Sequence, residues 1–352
     1  MGVFAIILNI LFVFISSLVV TELVRRYSIK NNVIDIPNHR SSHERPTPRG
    51  GGVVISLSII VGIINAFYMG LIPYSIFISL LVSVLIISIA GWLDDHKDLA
   101  FYWRMLFYSI ACIWSMLWTG SLDAIKVGTY SLQLSPFIGT VITFLGLIWL
   151  TNLYNFMDGS DGIAAIQAIC AGIFAGSILF VEGQTGLAMV CFFVASSSLG
   201  FLYWNWSPAK IFMGDIGSCV LGFVFGALAV ISDLLGVLSV YIWCILLSVF
   251  ICDATFTLFK RMFQGEKWYK AHREHAYQKL IQMGMSHRLL AIVFLIFNLC
   301  VIWPIAFIGY VLPEFSVYLS TGIVILIFLL WTLVQVKFDD YQENENKKVL
   351  NV

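Results

Sequence analysis

The chain has 352 residues, of which 60% are apolar and 11% charged, with a formal net charge of +0. That balance excludes an ordinary soluble domain, where charged residues make up about a quarter. The neutral net charge by itself says nothing about nucleic acid, and no basic tract suggests it.

Apolar runs of roughly 18 or more residues recur, each long enough to cross a hydrocarbon core of about 30 Å. The expected fold is therefore all-α, a polytopic integral membrane bundle of about 11 spans. In chain order they are Val3–Leu23, Gly52–Met69, Tyr74–Leu93, Trp103–Trp118, Phe137–Tyr154, Ile163–Val181, Gly186–Tyr203, Gly217–Ile231, Leu238–Leu258, Leu289–Gly309 and Val317–Val336. No basic residue precedes the first span, so it does not read as a cleaved signal peptide. The eighth is short, and is expected either to begin before Gly214 or to be partly buried by its neighbours. Residues 1–336 form a single domain, and a polar, disordered tail is expected over 337–352.

If the first span runs from outside to inside, the polar segments 24–51, 94–103, 152–162, 205–217 and 259–288 and the tail all share one face. With Arg104, at the start of the fourth span, they hold nineteen of the twenty Lys and Arg, leaving Lys126 on the other side. The positive-inside rule makes that face cytoplasmic, with the N-terminus periplasmic and the C-terminus cytoplasmic. All six histidines fall on the same side, whereas the seven cysteines lie within or at the ends of spans and read as small packing residues.

The acids on this face need a reason, because carboxylates near a bilayer are costly. Asp94 and Asp95 close the third span, where the helix dipole disfavours negative charge. They read either as a solvated turn aided by Lys97 and Arg104 or as part of a site. Asn152, Asn155, Asp158 and Asp161 recur every three residues. If the backbone stays helical, they project along one ridge as oxygen ligands suited to Mg²⁺. Helix capping by Ser160 or Asp161 would explain one of them, not four. Asp215, in Gly214-Asp-Ile-Gly-Ser218, reads equally as an N-cap or as part of a phosphate cradle at a helix start.

The segment from Phe259 to His287 holds Arg261, which can pair two phosphate oxygens, and His272 and His275, which could donate to phosphate or accept a proton. Lys267, Lys270 and Lys279 read as topology or headgroup attraction. Asp253, inside the ninth span, is expected to face a basic partner. The loop from Asp35 to Gly52 carries Arg40, Arg45 and Arg49, available either to a diphosphate or to topology alone.

Asp94-Asp95, Asn155-Phe-Met-Asp158-Gly, Met213-Gly-Asp215-Ile-Gly-Ser and a basic His-containing last loop, in this order and on one face, resemble the polyprenyl-phosphate N-acetylhexosamine-1-phosphate transferases of glycosyltransferase family 4. The resemblance covers the whole chain. It implies Mg²⁺-dependent (or Mn²⁺-dependent) transfer of a phospho-sugar from a UDP-N-acetylhexosamine to undecaprenyl phosphate, at the cytoplasmic face of a bacterial inner membrane. It further implies Asp215 and Asn155 as metal ligands with Asp158 beside them, Asp94 and Asp95 as the paired catalytic aspartates, and Arg261 and His275 as substrate contacts. From the residues themselves, Asp158 is expected to be catalytic and His272, Asn152 and Asp161 to be further substrate contacts. Membrane lipids would surround the chain, and a homodimer is compatible with it.

The last loop departs from the family's His-x-His-His cluster, since Ala276-Tyr277-Gln278 follows His275. His-Arg-Glu-His-Ala-Tyr-Gln is similar to the branch that starts O-antigen or capsule chains, often with 6-deoxy sugars, and it argues against the phospho-MurNAc-pentapeptide transferase. A transporter or flippase would also combine many spans with acids, but such sites lie near the midplane, whereas these acids sit at span ends. A CDP-alcohol phosphotransferase is faintly suggested by Asp158-Gly-Ser-Asp161-Gly, without that group's later paired aspartates.

Overall fold

A computed structural model describes residues 3–37, 45–266 and 272–350. His39, Arg40, His43, Lys267 and Lys270 lie outside the described residues.

The helices are α1 (Val3–Lys30), α2 (Val53–Tyr68), α3 (Tyr74–Lys97), α4 (Phe101–Thr119), α5 (Pro136–Phe156), α6 (Ile163–Val181), α7 (Thr185–Asn205), α8 (Asp215–Leu234), α9 (Val240–Leu246), α10 (Ser248–Phe263), α11 (Ala276–Gln282), α12 (His287–Phe297), α13 (Trp303–Val311) and α14 (Ser316–Leu350). Two small antiparallel hairpins accompany them. Strand β1 (Ile34–Asp35) pairs with β2 (Thr47–Pro48), and β3 (Ala124–Val127) pairs with β4 (Tyr130–Gln133).

Helix occupies each of the eleven stretches read as spans. Among the described residues, eight helices are long and apolar enough to cross a membrane, or nine if α9 and α10 count as one span bent by 79°. The shortfall has physical causes. Helix α2 has 16 residues, and α4 carries Arg104 with several polar and aromatic residues in its 19. The tenth stretch is interrupted by a π-helical turn at Asn298–Ile302, just ahead of Pro304, whose ring would clash with the carbonyl four residues back. The tail is not a separate disordered segment, because α14 continues through it to Leu350.

The short eighth span proves to be the axis of the bundle. Helix α8 is the most buried of the candidate spans, with 94% of its apolar window inside the protein. It packs on α3 and α5. Two close approaches set its N-terminal end. A Cβ on Gly52 would overlap the backbone of Gly217, and one on Gly91 would come within 2.5 Å of the Ile216 backbone. Glycine at both places lets α2 and α3 press directly on the first turn of α8, which fixes where the ends of α3, α5 and α8 meet.

Candidate active site

That meeting point gathers the acids. Asp215 opens α8 but does not cap it, because the cap position is Gly214, at φ 76°. The cap comes from another helix. Asp95, 3% exposed, accepts from the N–H groups of Asp215 (3.0 Å) and Ile216 (3.4 Å). The carboxylate at the unfavourable end of α3 thus finds its compensation at the positive end of α8. It also occupies the N–H groups that a phosphate cradle would need. Asp215, freed from capping, accepts from Asn155 Nδ2 at 2.9 Å and lies 3.4 Å from Arg104 Nη1. The same guanidinium reaches Asp94 at 3.1 Å, while Asp94 also accepts from Leu99 N–H at 2.5 Å. Ser218 joins the group, accepting from Asn155 at 2.9 Å.

The expected ridge of four does not form, because α5 ends at Phe156 and the chain turns. Asn155 faces Asp215, but Asn152 donates back to the Ile148 carbonyl at 2.8 Å. Asp158 sits on the turn, where burial, then Asp215, Asp95 and Asp161, push its carboxyl well above the usual carboxylate range. Asp161 turns to the 205–211 segment and accepts from Ala209 N–H at 3.1 Å. Neither Asp161 nor Ser160 caps α6, whose cap position is Gly162. Ser160 bonds His287 instead.

The last loop meets this turn from the other side. Tyr277 donates to the Phe156 carbonyl at 3.1 Å, and the rings of Phe156 and His275 stack at 6.5 Å. Asp253 does to α11 what Asp95 does to α8, accepting from Ala276 N–H (2.8 Å) and Tyr277 N–H (3.3 Å). Its expected basic partner is therefore mainly backbone and the Thr257 hydroxyl, with His275 Nδ1 farther off at 3.7 Å. His272 lies against His275, ring centres 4.8 Å apart. Burial, then His275 and Arg261, push the His272 imidazole down to about 3. Arg261 is buried and paired to Glu266 at 2.7 Å and to Glu274. In the front loop, Arg49 lies 3.4 Å from Asp98.

Asp94 and Asp215 thus meet at Arg104, with Asp95 and Asp158 close enough to act on the same group and Arg49 acting on Asp95. That uncompensated charge suits a hard divalent ion, which takes one or two carboxylates and completes its shell with water and phosphate. Asp215 and Asp158 could hold it, with Asn155 offering its amide oxygen. No closed cage is present, since no group of three His, Cys, Asp or Glu among the described residues stands in metal-binding geometry. Volume does not mark the site: a cavity of ≈ 860 Å³ opens at the opposite end, lined by Lys126, Glu182, Asp233 and Glu314.

Sequence reasoning gave Arg104 only the part of a helper to a solvated turn, and gave Tyr277 no part in the site. Arg104 had a signal, an arginine within ten residues of two aspartates on one face. Tyr277 had none, since its role depends on a contact across 121 residues.

Residues 77–233 match the profile of glycosyl transferase family 4. The chain is 29% identical over 326 residues (90% of this chain, 87% of the relative) to a probable undecaprenyl-phosphate N-acetylglucosaminyl 1-phosphate transferase of Bacillus subtilis. It is 26% identical over 318 residues (87% and 83%) to the undecaprenyl-phosphate alpha-N-acetylglucosaminyl 1-phosphate transferase of Escherichia coli K12. Over 217 residues (56% and 61%) it is 30% identical to the phospho-N-acetylmuramoyl-pentapeptide-transferase of Streptococcus thermophilus.

Proposed function

The chain belongs to glycosyl transferase family 4 and is a multi-pass membrane phosphotransferase, and from that premise we propose that it transfers an N-acetylhexosamine 1-phosphate from a UDP-sugar to undecaprenyl phosphate, releasing UMP. The carrying observation is the convergence of Asp94 and Asp215 on Arg104 at one end of the bundle, with Asn155 bonded to Asp215 and Asp158 near enough to feel its charge. Lipid phosphate and nucleotide diphosphate can meet there at the membrane surface, on the cytoplasmic side of a bacterial inner membrane.

An oxygen of the lipid phosphate attacks the β-phosphorus of the donor, the bond to the α-phosphate breaks, and the electron pair leaves on UMP. A monoester with a second pKa of about 6 is already largely dianionic at neutral pH, so no residue need remove its proton. Asp95 then serves as a positioning residue, because both its oxygens are taken by α8. Mg²⁺ bound at Asp215 and Asp158 would offset the repulsion of the two anions and stabilise charge on the leaving UMP. Arg104 orients Asp94 and Asp215 toward the same centre. Arg261, once released by Glu266 and Glu274, faces the diphosphate.

The sequence His272-Arg-Glu-His275-Ala-Tyr-Gln278 supports a chain-initiating role in O-antigen, capsule or another envelope glycan, including 6-deoxy donors. The two relatives that match most of the chain are N-acetylglucosaminyl 1-phosphate transferases, which favours N-acetylglucosamine. A panel of UDP-N-acetylhexosamines with undecaprenyl phosphate and Mg²⁺, read as UMP release, decides between them. The expected outcome is lipid-dependent release with one donor, reduced roughly 10²–10³-fold in Asp215→Asn, the scale of losing one transition-state electrostatic contact. Release that survives that substitution, or that ignores the lipid, would sink the proposal.

A further inference from the structure

Lys279 is a basic residue that topology alone does not explain. It is 4% exposed, although a lysine placed only to mark the cytoplasmic side belongs in water. Its Nζ donates to Gln335 Oε1 at 2.5 Å, and Lys260 Nζ donates to the same oxygen at 3.0 Å. Two ammonium groups therefore share one neutral acceptor, while the buried Nε2 of Gln335 has no partner. Phe338 covers Lys279 at 4.6 Å, and Asp339 acts on it less strongly than its burial and Lys260 do. Those two larger effects push the ammonium down to about 8.

The residues next to this pair carry a second observation. Leu280 and Val334, the neighbours of Lys279 and Gln335, line an apolar cleft with Val293, Phe297 and Leu330, between α10, α11, α12 and α14. Helix α14 is the most lipid-exposed of the spans, with 17% of its window buried. A slot of hydrocarbon character beside an outer helix, with two lysines and an amide donor on the same helices that line it, matches the two ends of an amphiphile. Phosphate supplies the missing acceptors, and an acyl chain fills the slot.

We propose that Lys260, Lys279 and the amide of Gln335 form a binding site for the phosphate of an anionic phospholipid, with one acyl chain in the cleft between α12 and α14. Occupancy would bear on the reaction through α11, whose Tyr277 holds the turn that carries Asp158.

The test is native mass spectrometry of the intact protein released from phosphatidylcholine vesicles containing phosphatidylglycerol. Wild type should retain one phosphatidylglycerol in preference to phosphatidylcholine. Retention should weaken roughly fivefold for each lysine removed in Lys260→Gln and Lys260→Gln/Lys279→Gln. Lys260 is half-buried, so the single variant keeps the result readable if the double variant misfolds. Equal retention by wild type and Lys260→Gln would overturn the site, as would indifference between the two lipids. Displacement of the bound lipid by millimolar inorganic phosphate would show a free-anion site and overturn the lipid assignment.

Discussion

The first turns of α8 and α11 are built alike and set in opposite surroundings. Each helix begins with two backbone N–H groups donated to an aspartate from another helix, Asp95 for α8 and Asp253 for α11. At α8 that carboxylate stands among further carboxylates, Asp94, Asp158 and Asp215, with Arg104. At α11 the surroundings are His272, His275 and Arg261. The turn at 156–159 lies between them, its Phe156 carbonyl held by Tyr277 and its Asp158 facing the acids. The same capping device thus anchors a pole of carboxylates at α8 and a pole of histidines with Arg261 at α11. What differs is depth, since α8 has 20 residues and runs through the core, whereas α11 has 7 and enters the core only through Tyr277.

Depth should dominate the cost of removing each cap. Asp95→Ala leaves two buried N–H groups unpaired at the axis of the bundle, and should cost about 3 kcal/mol. Asp253→Ala should cost about 1–2 kcal/mol, because a helix of this length can fray and rehydrate. Thermal unfolding in detergent compares the two, and equal losses would mean that α11 is as integral to the core as α8. Gly52→Ala comes next. Its methyl would strike the Gly217 backbone, which cannot rotate away, so about 2 kcal/mol is expected. A midpoint unchanged from wild type would show that α2 can slide on α8.

These contrasts also mark what the sequence could and could not reveal. The membrane class, the helix positions and the shared face of Asp94, Asp158 and Asp215 follow from hydropathy and the asymmetry of Lys and Arg, both one-dimensional patterns. The roles of Asp95 and Asp253 do not. Each acid closes or interrupts an apolar run, and its partners are backbone groups 120 and 23 residues away, a pairing that side-chain identity does not encode. The ridge of four loses Asp161 because the three-residue spacing assumed a helix that ends at Phe156, and Asn152 because its amide bonds back to the Ile148 carbonyl. The bend between α9 and α10 left no proline or glycine signal in Leu246-Leu247-Ser248.

A smaller effect tests the link between the poles. A Cβ on Gly159 would overlap the Tyr277 hydroxyl, but that is the end of a side chain and can yield. Gly159→Ala should therefore cost under about 1 kcal/mol of stability, while UMP release falls roughly tenfold as the turn carrying Asp158 loses its tether. Tyr277→Phe, which removes the same bond without the clash, should reproduce the loss. Full activity in both variants would leave the two poles independent.

The smallest expected effect is also the one in which the poles should oppose each other. The folded state raises the Asp158 carboxyl above its ordinary 3.8, so the fold binds that proton more tightly than the unfolded chain does. Its contribution is complete below that value and is lost as pH rises toward the raised one. His272 is the reverse. Its folded value lies near 3 against an ordinary 6.5, so its contribution is complete above 6.5 and is lost as pH falls toward 3. Asp158→Asn should then raise the unfolding midpoint near neutral pH and leave it nearly unchanged in acid, and His272→Gln should do the converse. The midpoint measured from pH 4 to pH 8 separates them, in steps of a few degrees at most because both groups keep some contact with solvent. Parallel curves for the two variants would mean that the acids and the histidines do not titrate as separate sets, and the division of the site into two poles would fail.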